Sequence, residues 1–425
     1  MTDTAPQATR AWVLHPDIPE RRAGRDPAYA LEEAVALARA LPGLDVAGSE
    51  IVRLNHPNPG TLFGRGKIEE LRALIEAEDI GLVLIDGPLS PVQQRNIERA
   101  WNVKVLDRTG LILEIFSDRA ATREGVLQVE MAALSYQRTR LVRAWTHLER
   151  QRGGLGFVGG PGETQIEADR RAIDDQIVRL RRQLDKVVRT RQLHRKARAK
   201  VPFPIVALVG YTNAGKSTLF NRLTGAQVMQ KDMLFATLDP TMRRIELPGG
   251  GPEVILSDTV GFISDLPTEL VAAFRATLEE VLEADLIVHV RDISHPETEA
   301  QDEDVHAILD SLGVRESTPR IEVWNKIDQL DADRRQAALT KAARTDDVLA
   351  LSAATGDGID ALVAAIDAKL ARDTHVTEVH LGFDEGRRRA WLFDQGVVED
   401  ERQTQDGFAL TVRWSDKQAA QFETI

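Results

Sequence analysis

One short stretch of the sequence, GYTNAGKS at residues 210–217, constrains the fold of this chain more than any other feature. It fits the pattern G-x-x-x-x-G-K-[ST], it follows an apolar segment rich in β-branched residues, and a helical segment, STLFNRL, comes after it. In such a P-loop the glycines let backbone N–H groups curl around phosphate oxygens, and the next helix points its positive end at them. Residues 204–372 alternate strands with helices, so the sequence predicts a doubly wound α/β sheet that binds a nucleotide.

The polar residues around this loop have distinct expected roles. Lys216 is long enough to reach the β- and γ-phosphates, and the Ser217 hydroxyl is a suitable ligand for Mg²⁺. The sequence DTVG at 258–261 lies at the end of a further strand, VILSD. An aspartate there, Asp258, can hold Mg²⁺ through water, and Gly261 can offer its N–H to the γ-phosphate. We therefore expect Lys216 and Gly261 to act in catalysis.

Two more segments identify the nucleotide as a guanine nucleotide. Asn325-Lys326-Ile327-Asp328 follows the strand IEVW, and Ser352-Ala353 follows VLAL. The carboxylate of Asp328 can accept the N1–H and N2–H groups of guanine, which adenine does not offer, while Lys326 covers the face of the base. Because the carboxyl ends of parallel strands form one edge of a sheet, we expect all these segments to meet at one site.

The remaining chain predicts three more units around this domain. With 425 residues, several domains are expected. Strands at 11–14, 82–86 and 103–107 alternate with helices at 30–41, 66–78 and 90–101, which indicates a small nucleotide-binding-like α/β domain. A helix and two strands indicate a small α+β unit at the C-terminus. The expected domains are residues 1–122 (α/β), 123–200 (basic helical hairpin), 201–373 (nucleotide-binding) and 374–425 (α+β).

The hairpin is predicted from two heptad-like series of apolar residues. The first is Leu127, Met131, Leu134, Arg138, Leu141, Trp145 and Leu148, and the second is Ile166, Ile173, Ile177, Leu180, Leu184 and Val187. Two core helices of a globular bundle are the alternative. Residues 138–200 hold 17 Lys and Arg against 7 Asp and Glu in a chain of net charge −12. This basic block is either a solvated helix face or a surface that attracts phosphate.

A glycine-rich segment joins the two helices and imitates a dinucleotide motif. Residues 154–159 spell G-x-G-x-x-G, but a helix precedes them, whereas a dinucleotide site needs a strand there. Flanking arginines favour contact with RNA instead. Thr164 and Glu167 also fit a capping box at the start of the second helix. The expected RNA-contacting residues are Arg150, Arg152, Gly153, Gly154, Gly156, Gly159, Gly160, Arg170 and Arg171.

Taken together, these motifs resemble those of a translation-factor-class GTPase, and nearly the whole chain resembles the HflX family. The resemblance covers TLFGRGKIEEL at 61–71, DRT at 107–109, LEIF at 113–116, the block GPGETQ at 160–165 with Glu167 to Arg171, and FATLDP at 235–240. It implies that Thr237 in switch I is the second Mg²⁺ ligand and a catalytic residue, with Thr241 as the competing assignment. It also implies binding to the large ribosomal subunit, including its RNA, and dissociation of stalled or idle ribosomes. One departure is Val158, where many relatives carry a basic residue.

The expected GTP site then combines the residues of all these motifs. They are Gly210, Tyr211, Thr212, Asn213, Ala214, Gly215, Lys216, Ser217, Thr218, Phe235, Ala236, Thr237, Leu238, Asp239, Asp258, Thr259, Val260, Gly261, Asn325, Lys326, Ile327, Asp328, Ser352 and Ala353.

Two positions, one beside this set and one within it, bear on the rate of hydrolysis. Phe262 follows Gly261 where many GTPases place the glutamine that orients the attacking water. Phenylalanine cannot hydrogen-bond water, so we expect slow intrinsic hydrolysis that needs outside help. The resemblance implies that the ribosome supplies this help. Asn213 matches a position that holds K⁺ near the phosphates in some related GTPases; a simple turn-forming role is the alternative.

Composition limits the setting in which the protein works. The chain has no cysteine, no apolar run near the ~20 residues of a membrane span, and no apolar signal core at its start. We expect a cytoplasmic monomer without a membrane span, associated in part with ribosomes. Two alternatives stay open: a GTP-gated module that binds another protein or free RNA, and separate nucleotide chemistry in the N-terminal domain at GRGK, residues 64–67.

Overall fold

The computed structural model of the chain describes residues 8–19, 25–151, 161–198, 203–225, 234–235, 241–247, 253–264, 279–315, 318–372, 374–423 and 425. Its strands are β1 (Thr9–Asp17), β2 (Leu44–Arg53), β3 (Leu82–Ile85), β4 (Lys104–Asp107), β5 (Ile205–Gly210), β6 (Thr241–Glu246), β7 (Glu253–Asp258), β8 (Leu286–Asp292), β9 (Arg320–Asn325), β10 (Val348–Ala350), β11 (Thr374–Gly382), β12 (Val398–Gln403) and β13 (Gly407–Ser415). Its helices are α1 (Pro27–Ala40), α2 (Arg65–Ala77), α3 (Pro91–Trp101), α4 (Arg108–Arg119), α5 (Arg123–Gln151), α6 (Pro161–Arg198), α7 (Lys216–Thr224), α8 (Glu279–Leu282), α9 (Thr298–Leu312), α10 (Ala332–Ala342), α11 (Ile359–Arg372), α12 (Gly386–Asp394) and α13 (Asp416–Glu423), with a short 3-10 helix at Ile327–Gln329.

A four-stranded parallel sheet of order β2-β1-β3-β4 organises the N-terminal region. Strand β3 is apolar and buried along its whole length, because α1 and α4 pack on one face of the sheet and α2 and α3 on the other. The sequence predicted β1, β3 and β4 but missed β2. The reason is that β2 is an edge strand in which Val52 alone is fully buried, so it has no apolar run.

The helices α5 and α6 pack against each other as the heptad pattern predicted. Leu127 and Leu134 of α5 form a buried cluster with Ile177 and Leu180 of α6. Arg138, the charged position in the first series, forms an ion pair between the two helices: its Nη1 lies 3.1 Å from Oδ1 of Asp174 in α6.

The predicted capping box at Thr164 is wrong. Helix α6 already begins at Pro161, which places Thr164 inside its first turn. A capping residue must precede the helix, and Thr164 therefore cannot cap it.

A six-stranded sheet of order β10-β9-β8-β5-β7-β6 forms the nucleotide-binding region. Five strands are parallel and β6 runs antiparallel to β7 at the edge. The sequence missed β6, because its residues are exposed or only partly buried. Strands β5, β7, β9 and β10 end at the same edge of the sheet, and the predicted motifs follow these ends.

The C-terminal region is an antiparallel sheet of order β11-β13-β12 with α12 and α13 against it. Leu392, Leu410, Val412 and Phe422 are among its core residues. Strand β11 and helix α13 were not predicted; β11 is an edge strand that contributes Leu381 as its one buried hydrophobic residue among those described. The predicted α/β fold class with an α+β C-terminus is confirmed, while the boundaries at 122, 200 and 373 stay predictions.

Candidate functional site

The P-loop connects β5 to α7, and close packing explains its glycines. A Cβ on Gly210 would lie 2.1 Å from the carbonyl oxygen of Val290. Gly215 has a φ of 94°, and a Cβ there would lie 2.2 Å from Nδ2 of Asn325. Asn213 is exposed and has a left-handed φ of 59°, which asparagine tolerates better than most residues. This backbone agrees with a turn-forming role, and the K⁺ role of Asn213 stays a prediction.

The Lys216 side chain is buried against its own loop. Its Nζ donates hydrogen bonds to the carbonyl oxygens of Gly210 at 3.1 Å and Tyr211 at 2.8 Å. Burial lowers the pKa of this amine to about 8, and the nearby Asp258 carboxylate opposes part of that shift. A phosphate oxygen in the loop would be a stronger partner for the amine than these neutral carbonyls, because the hydrogen bond would then be charge-assisted on both sides.

Oxygen groups suited to a hard cation meet where α7 begins and β7 ends. The Ser217 hydroxyl donates to Oδ2 of Asp258 at 2.7 Å, and Asp258 is fully buried. Thr259 donates to the carbonyl oxygen of Leu208 at 2.6 Å and so ties the loop after β7 to β5. A hydroxyl beside a carboxylate is a donor set that Mg²⁺ prefers, so these residues fit that ion.

The segment after β7 is joined to the P-loop through the main chain. Thr212 donates its N–H to the carbonyl oxygen of Phe262 at 2.7 Å, and Phe262 donates its N–H to that of Gly210 at 3.1 Å. A Cβ on Gly261 would lie 2.9 Å from the Cα of Thr212 and 3.0 Å from Nζ of Lys216, so this approach needs glycine. The Phe262 side chain is buried in the apolar core.

Asn325 joins three of the predicted motifs. Its Nδ2 donates to the carbonyl oxygen of Ala214 in the P-loop at 2.8 Å, and its Oδ1 accepts the N–H of Ala353 at 2.9 Å. Asn325 is 2% exposed, so both hydrogen bonds are shielded from water. Its side chain therefore holds the loops together rather than facing the solvent side of the site.

The other residues expected to recognise the base are arranged differently. Lys326 adopts a φ of 67° and its Nζ lies 2.7 Å from Oδ2 of Asp292 at the end of β8. Asp328 is exposed in the short 3-10 helix that begins at Ile327. Its carboxylate has no ion-pair partner among the described residues. Ser352 is fully buried and its Oγ accepts the N–H of Thr355 at 3.1 Å.

The switch I assignment stays open. Phe235 is buried with a φ of 56°, whereas Ala236, Thr237, Leu238 and Asp239 lie outside the described residues. The competing residue, Thr241, begins β6 and is paired with Asp258 in the strand register.

A polar network between the N-terminal region and the GTP site was not predicted from the sequence. The Tyr211 hydroxyl donates to a carboxylate oxygen of Glu33 and accepts the N–H of Ser264 at 2.9 Å. Ser264 Oγ also donates to Glu33 Oε1 at 2.9 Å, and Arg108 Nη2 donates to the Ser264 carbonyl oxygen at 3.1 Å. Burial together with Glu33 raises the pKa of Tyr211, so the hydroxyl stays protonated as a donor.

Arg108 is the centre of this network. The guanidinium is buried and also donates to Oδ1 of Asp86 at 2.7 Å, and Asp86 in turn contacts Nδ1 of His15 at 2.7 Å. Burial alone would raise the pKa of the Asp86 carboxyl, but the charge of Arg108 and the hydrogen bonds with His15 and Arg108 together outweigh it and keep that pKa below its ordinary value. The only sequence signal for this centre was the DRT stretch that contains Arg108.

A second set of contacts connects the N-terminal region to α5. The Tyr136 hydroxyl lies 2.6 Å from both carboxylate oxygens of Asp107, and Arg140 Nη1 donates to Asp107 Oδ2 at 3.0 Å. Asp107 also caps α4, where its Oδ1 accepts the N–H of Gly110 at 2.8 Å. One carboxylate therefore fixes both the start of α4 and the packing of α5.

The predicted RNA-contacting loop falls largely outside the described residues. This holds for Arg152, Gly153, Gly154, Gly156, Gly159 and Gly160, and also for Val158. Arg150 is in the last turn of α5. Arg170 and Arg171 are exposed on α6, 3.9 Å and 3.7 Å from carboxylates one helical turn away on the same helix. Ion pairs this exposed contribute little stability, so both guanidinium groups are available to a phosphate.

The lysine of the stretch GRGK at 64–67 is paired with carboxylates, and separate nucleotide chemistry there stays an alternative prediction. The stretch borders a cleft of about 1060 Å³ whose lining carries both signs of charge, with Asp17, Asp26 and Glu50 beside Arg53 and Lys67. Lys67 Nζ contacts Glu50 and lies 2.7 Å from Glu70 Oε1, so its charge is already neutralised.

Among the helices that the structure describes, none combines the length and the apolar character needed to cross a bilayer.

Comparison with known families covers nearly the whole chain. Four family models match it: "GTP-binding GTPase N-terminal" at 28–117, "GTP-binding GTPase Middle Region" at 119–198, "50S ribosome-binding GTPase" at 205–326 and "HflX C-terminal domain" at 337–424.

Similar proteins extend over most of the chain as well. GTPase HflX of Magnetococcus marinus is 48% identical over 393 residues, covering 92% of this chain and 90% of that protein. GTPase HflX of Escherichia coli is 46% identical over 358 residues, covering 84% of this chain and 83% of that protein. Among solved structures, the crystal structure of the SsGBP–GDP complex superimposes with a TM-score of 0.50 at 23% identity, covering 85% of this chain and 99% of that one. This last likeness concerns the fold.

Proposed function

Because the chain belongs to the HflX family of GTPases and hydrolyses GTP, we propose that it binds the large ribosomal subunit and uses GTP to dissociate stalled or idle ribosomes. In this proposal it acts as a monomer in the cytoplasm. The ribosome accelerates a hydrolysis that is slow without it, because Phe262 cannot order the attacking water.

The site residues take the following roles in this proposal. Lys216 binds the β- and γ-phosphates, and the Gly261 N–H contacts the γ-phosphate. Ser217 and Thr237 would hold Mg²⁺ directly and Asp258 through water; the bound ion neutralises charge on the phosphates. Asp328 reads guanine, and the main chain at Ser352 and Ala353 faces the base.

One observation carries the proposal: helix α4 contacts both segments that are expected to respond to the γ-phosphate. Near its end, Phe116 packs edge-on against Phe235 of switch I, with ring centroids 4.6 Å apart. At its start, Arg108 holds the Ser264 hydroxyl at 2.9 Å and its carbonyl oxygen at 3.1 Å, just after DTVG. A change in either segment therefore acts on the same helix.

Helix α4 is also bound to the hairpin. Asp107 caps α4 and receives the Tyr136 hydroxyl and the Arg140 guanidinium from α5. The γ-phosphate can thus be sensed at Phe235 and Ser264 and its effect transmitted through α4 to the basic hairpin, which we propose contacts ribosomal RNA.

The test is gradient co-sedimentation with purified large and small subunits, in the presence of a non-hydrolysable GTP analogue or GDP. We expect the chain to travel with the large subunit in the analogue and to leave it in GDP. Binding to free RNA or to another protein, without binding to either subunit, would replace this proposal with that of a GTP-gated binding module.

A matched pair of variants tests the contribution of the hairpin. Arg170→Gln with Arg171→Gln removes two exposed arginines of α6. Arg65→Gln with Arg72→Gln removes two exposed arginines of α2 that also pair with carboxylates one turn away on the same helix, at 3.3 and 3.0 Å. We expect the first pair alone to weaken binding to the subunit and to flatten its dependence on salt. Equal effects of the two pairs would show that overall charge, not the hairpin, decides binding.

A further inference from the structure

We propose that His289, Asp302 and His306 form a binding site for one divalent transition-metal ion of the zinc class, apart from the nucleotide loops. His289 belongs to β8, and the other two residues belong to α9. Asp302 and His306 are four residues apart, which places them on one face of the helix. The ligand atoms of the three side chains all lie within 4.8 Å of one another.

The distances match those between ligands of a common ion. Oδ1 of Asp302 lies 3.5 Å from Nδ1 of His289 and 3.1 Å from Nδ1 of His306. Two ligands at roughly 2.0–2.1 Å from a tetrahedral zinc ion are about 3.3 Å apart. These contacts do not serve as hydrogen bonds, since Oδ1 of Asp302 is buried without a hydrogen-bond partner.

His289 supplies a second, independent observation. Its side chain is buried, and its Nε2 has no hydrogen-bond partner among the described residues. The unpaired Nε2 shows that no hydrogen bond at this nitrogen holds the ring, and Nδ1, the nitrogen that faces Asp302, is the atom placed to bind an ion.

The surroundings orient the carboxylate and leave the site accessible. Nη1 of Arg291 lies 3.4 Å from Oδ2 of Asp302, on the opposite oxygen from the imidazoles. A second contact of this type fixes a ligand in the direction of the ion. His306 is 45% exposed, and its Nδ1 lies 3.0 Å from the main-chain oxygen of Asp302, a contact that an ion at Nδ1 would replace.

The donor set determines the class of metal. Two imidazoles and one carboxylate suit Zn²⁺, Co²⁺ or Ni²⁺, whereas Mg²⁺ and Ca²⁺ prefer all-oxygen ligands. Three protein ligands with one side open leave room for water as the fourth ligand. The ion would tie β8 to α9, and β8 ends in Asp292, which holds Lys326 2.7 Å away.

The test uses the untagged full chain, stripped with a chelator and then saturated with Mg²⁺ and GDP so that the nucleotide site cannot take up the probe. Co²⁺ is titrated as the probe and its visible absorption is followed. We expect one equivalent to bind with the intense absorption of a low-coordinate site, and Zn²⁺ to displace it. Absence of a bound equivalent in the unmodified chain would overturn the proposal.

Two variants assign the binding to these residues. His306→Gln replaces a half-exposed ligand at little structural cost, and His380→Gln, in β11, is the matched control because that histidine is exposed. We expect His306→Gln to weaken Co²⁺ binding at least about tenfold and to abolish the rise in Tm that Zn²⁺ causes, with His380→Gln unchanged. Asp302→Asn should behave like His306→Gln. Equal binding by His306→Gln and His380→Gln would refute the assignment.

Discussion

Replacing Asn325 by alanine should weaken nucleotide binding, because it removes the side chain that joins two loops of the site. Asn325 bridges the carbonyl oxygen of Ala214 and the N–H of Ala353 at 2.8 and 2.9 Å, and it is 2% exposed. Alanine would leave the Ala214 carbonyl oxygen and the Ala353 N–H buried without a hydrogen-bond partner. Water has little access to this place and cannot easily supply the lost hydrogen bonds. The P-loop and the loop after β10 would then lose the side chain that keeps them together.

The size of the effect follows from the two groups. Each buried polar group that loses its partner costs about 1–3 kcal/mol, so the native arrangement of these loops loses about 2–6 kcal/mol. If the P-loop and the loop after β10 shift so that water can hydrogen-bond these groups, both loops must be reordered when GDP binds. If only about 1.4 kcal/mol of this cost falls on binding, the Kd for GDP rises about tenfold.

Two measurements distinguish the loss of this bridge from a loss of base contact. Titration with a fluorescent GDP analogue gives Kd, and hydrogen exchange reports on the Ala353 amide. Asn325→Ala should raise Kd and expose that amide to exchange. Asn325→Asp keeps an acceptor for Ala353 but cannot donate to Ala214, so it should raise Kd with the amide still protected. A Kd within twofold of the original, together with slow exchange at Ala353, would refute the bridging role.

Three further changes test other parts of the site. Asp328→Asn should shift preference from GTP towards xanthosine triphosphate, because the amide replaces one acceptor oxygen by an NH₂ donor, which opposes the N2–H₂ of guanine but suits the 2-oxo group of xanthine. Competition binding measures the ratio, and an unchanged ratio removes Asp328 from base recognition. Gly261→Ala should lower the hydrolysis rate at least about tenfold, since a Cβ there meets Nζ of Lys216 at 3.0 Å, and a normal single-turnover rate would contradict this. Tyr136→Phe should leave hydrolysis without ribosomes unchanged but reduce its stimulation by the large subunit, because Asp107 loses a hydrogen bond worth about 1.5–3 kcal/mol. Full stimulation of this variant would exclude the connection from α4 through Asp107 to α5.

The sequence predicted the segments of the GTP site because each is a local pattern. A glycine-rich turn that ends in G-K-S between an apolar strand and a helix is typical of a phosphate-binding loop, and the ends of parallel strands meet at one edge of the sheet. The buried strands β3, β5, β7 and β8 were found because each is a continuous apolar run. The edge strands β2, β6 and β11 were missed, since an edge strand with a solvated face lacks the apolar run that marks a buried one.

The partners of the site could not be predicted, because they depend on how distant segments pack. Glu33 and Tyr211 are 178 residues apart, and neither lies in a pattern that indicates the other. The motif N-K-x-D suggested that Asn325 belongs to the base-binding loop, but its two hydrogen bonds go to protein main chain. Sequence patterns show which residues are needed, whereas the tertiary contacts show which groups they act upon.

If the chain binds the large subunit as proposed, helix α4 would couple that binding to GTP, and such coupling works in both directions. The helix is held at Phe116 and Arg108 by the two nucleotide-responsive segments and at its cap, Asp107, by the hairpin. If GTP rather than GDP tightens binding to the large subunit by some factor, the subunit must tighten binding of GTP over GDP by the same factor. Contacts at both ends of one twelve-residue helix are therefore the structural basis we expect for a nucleotide-dependent ribosome factor.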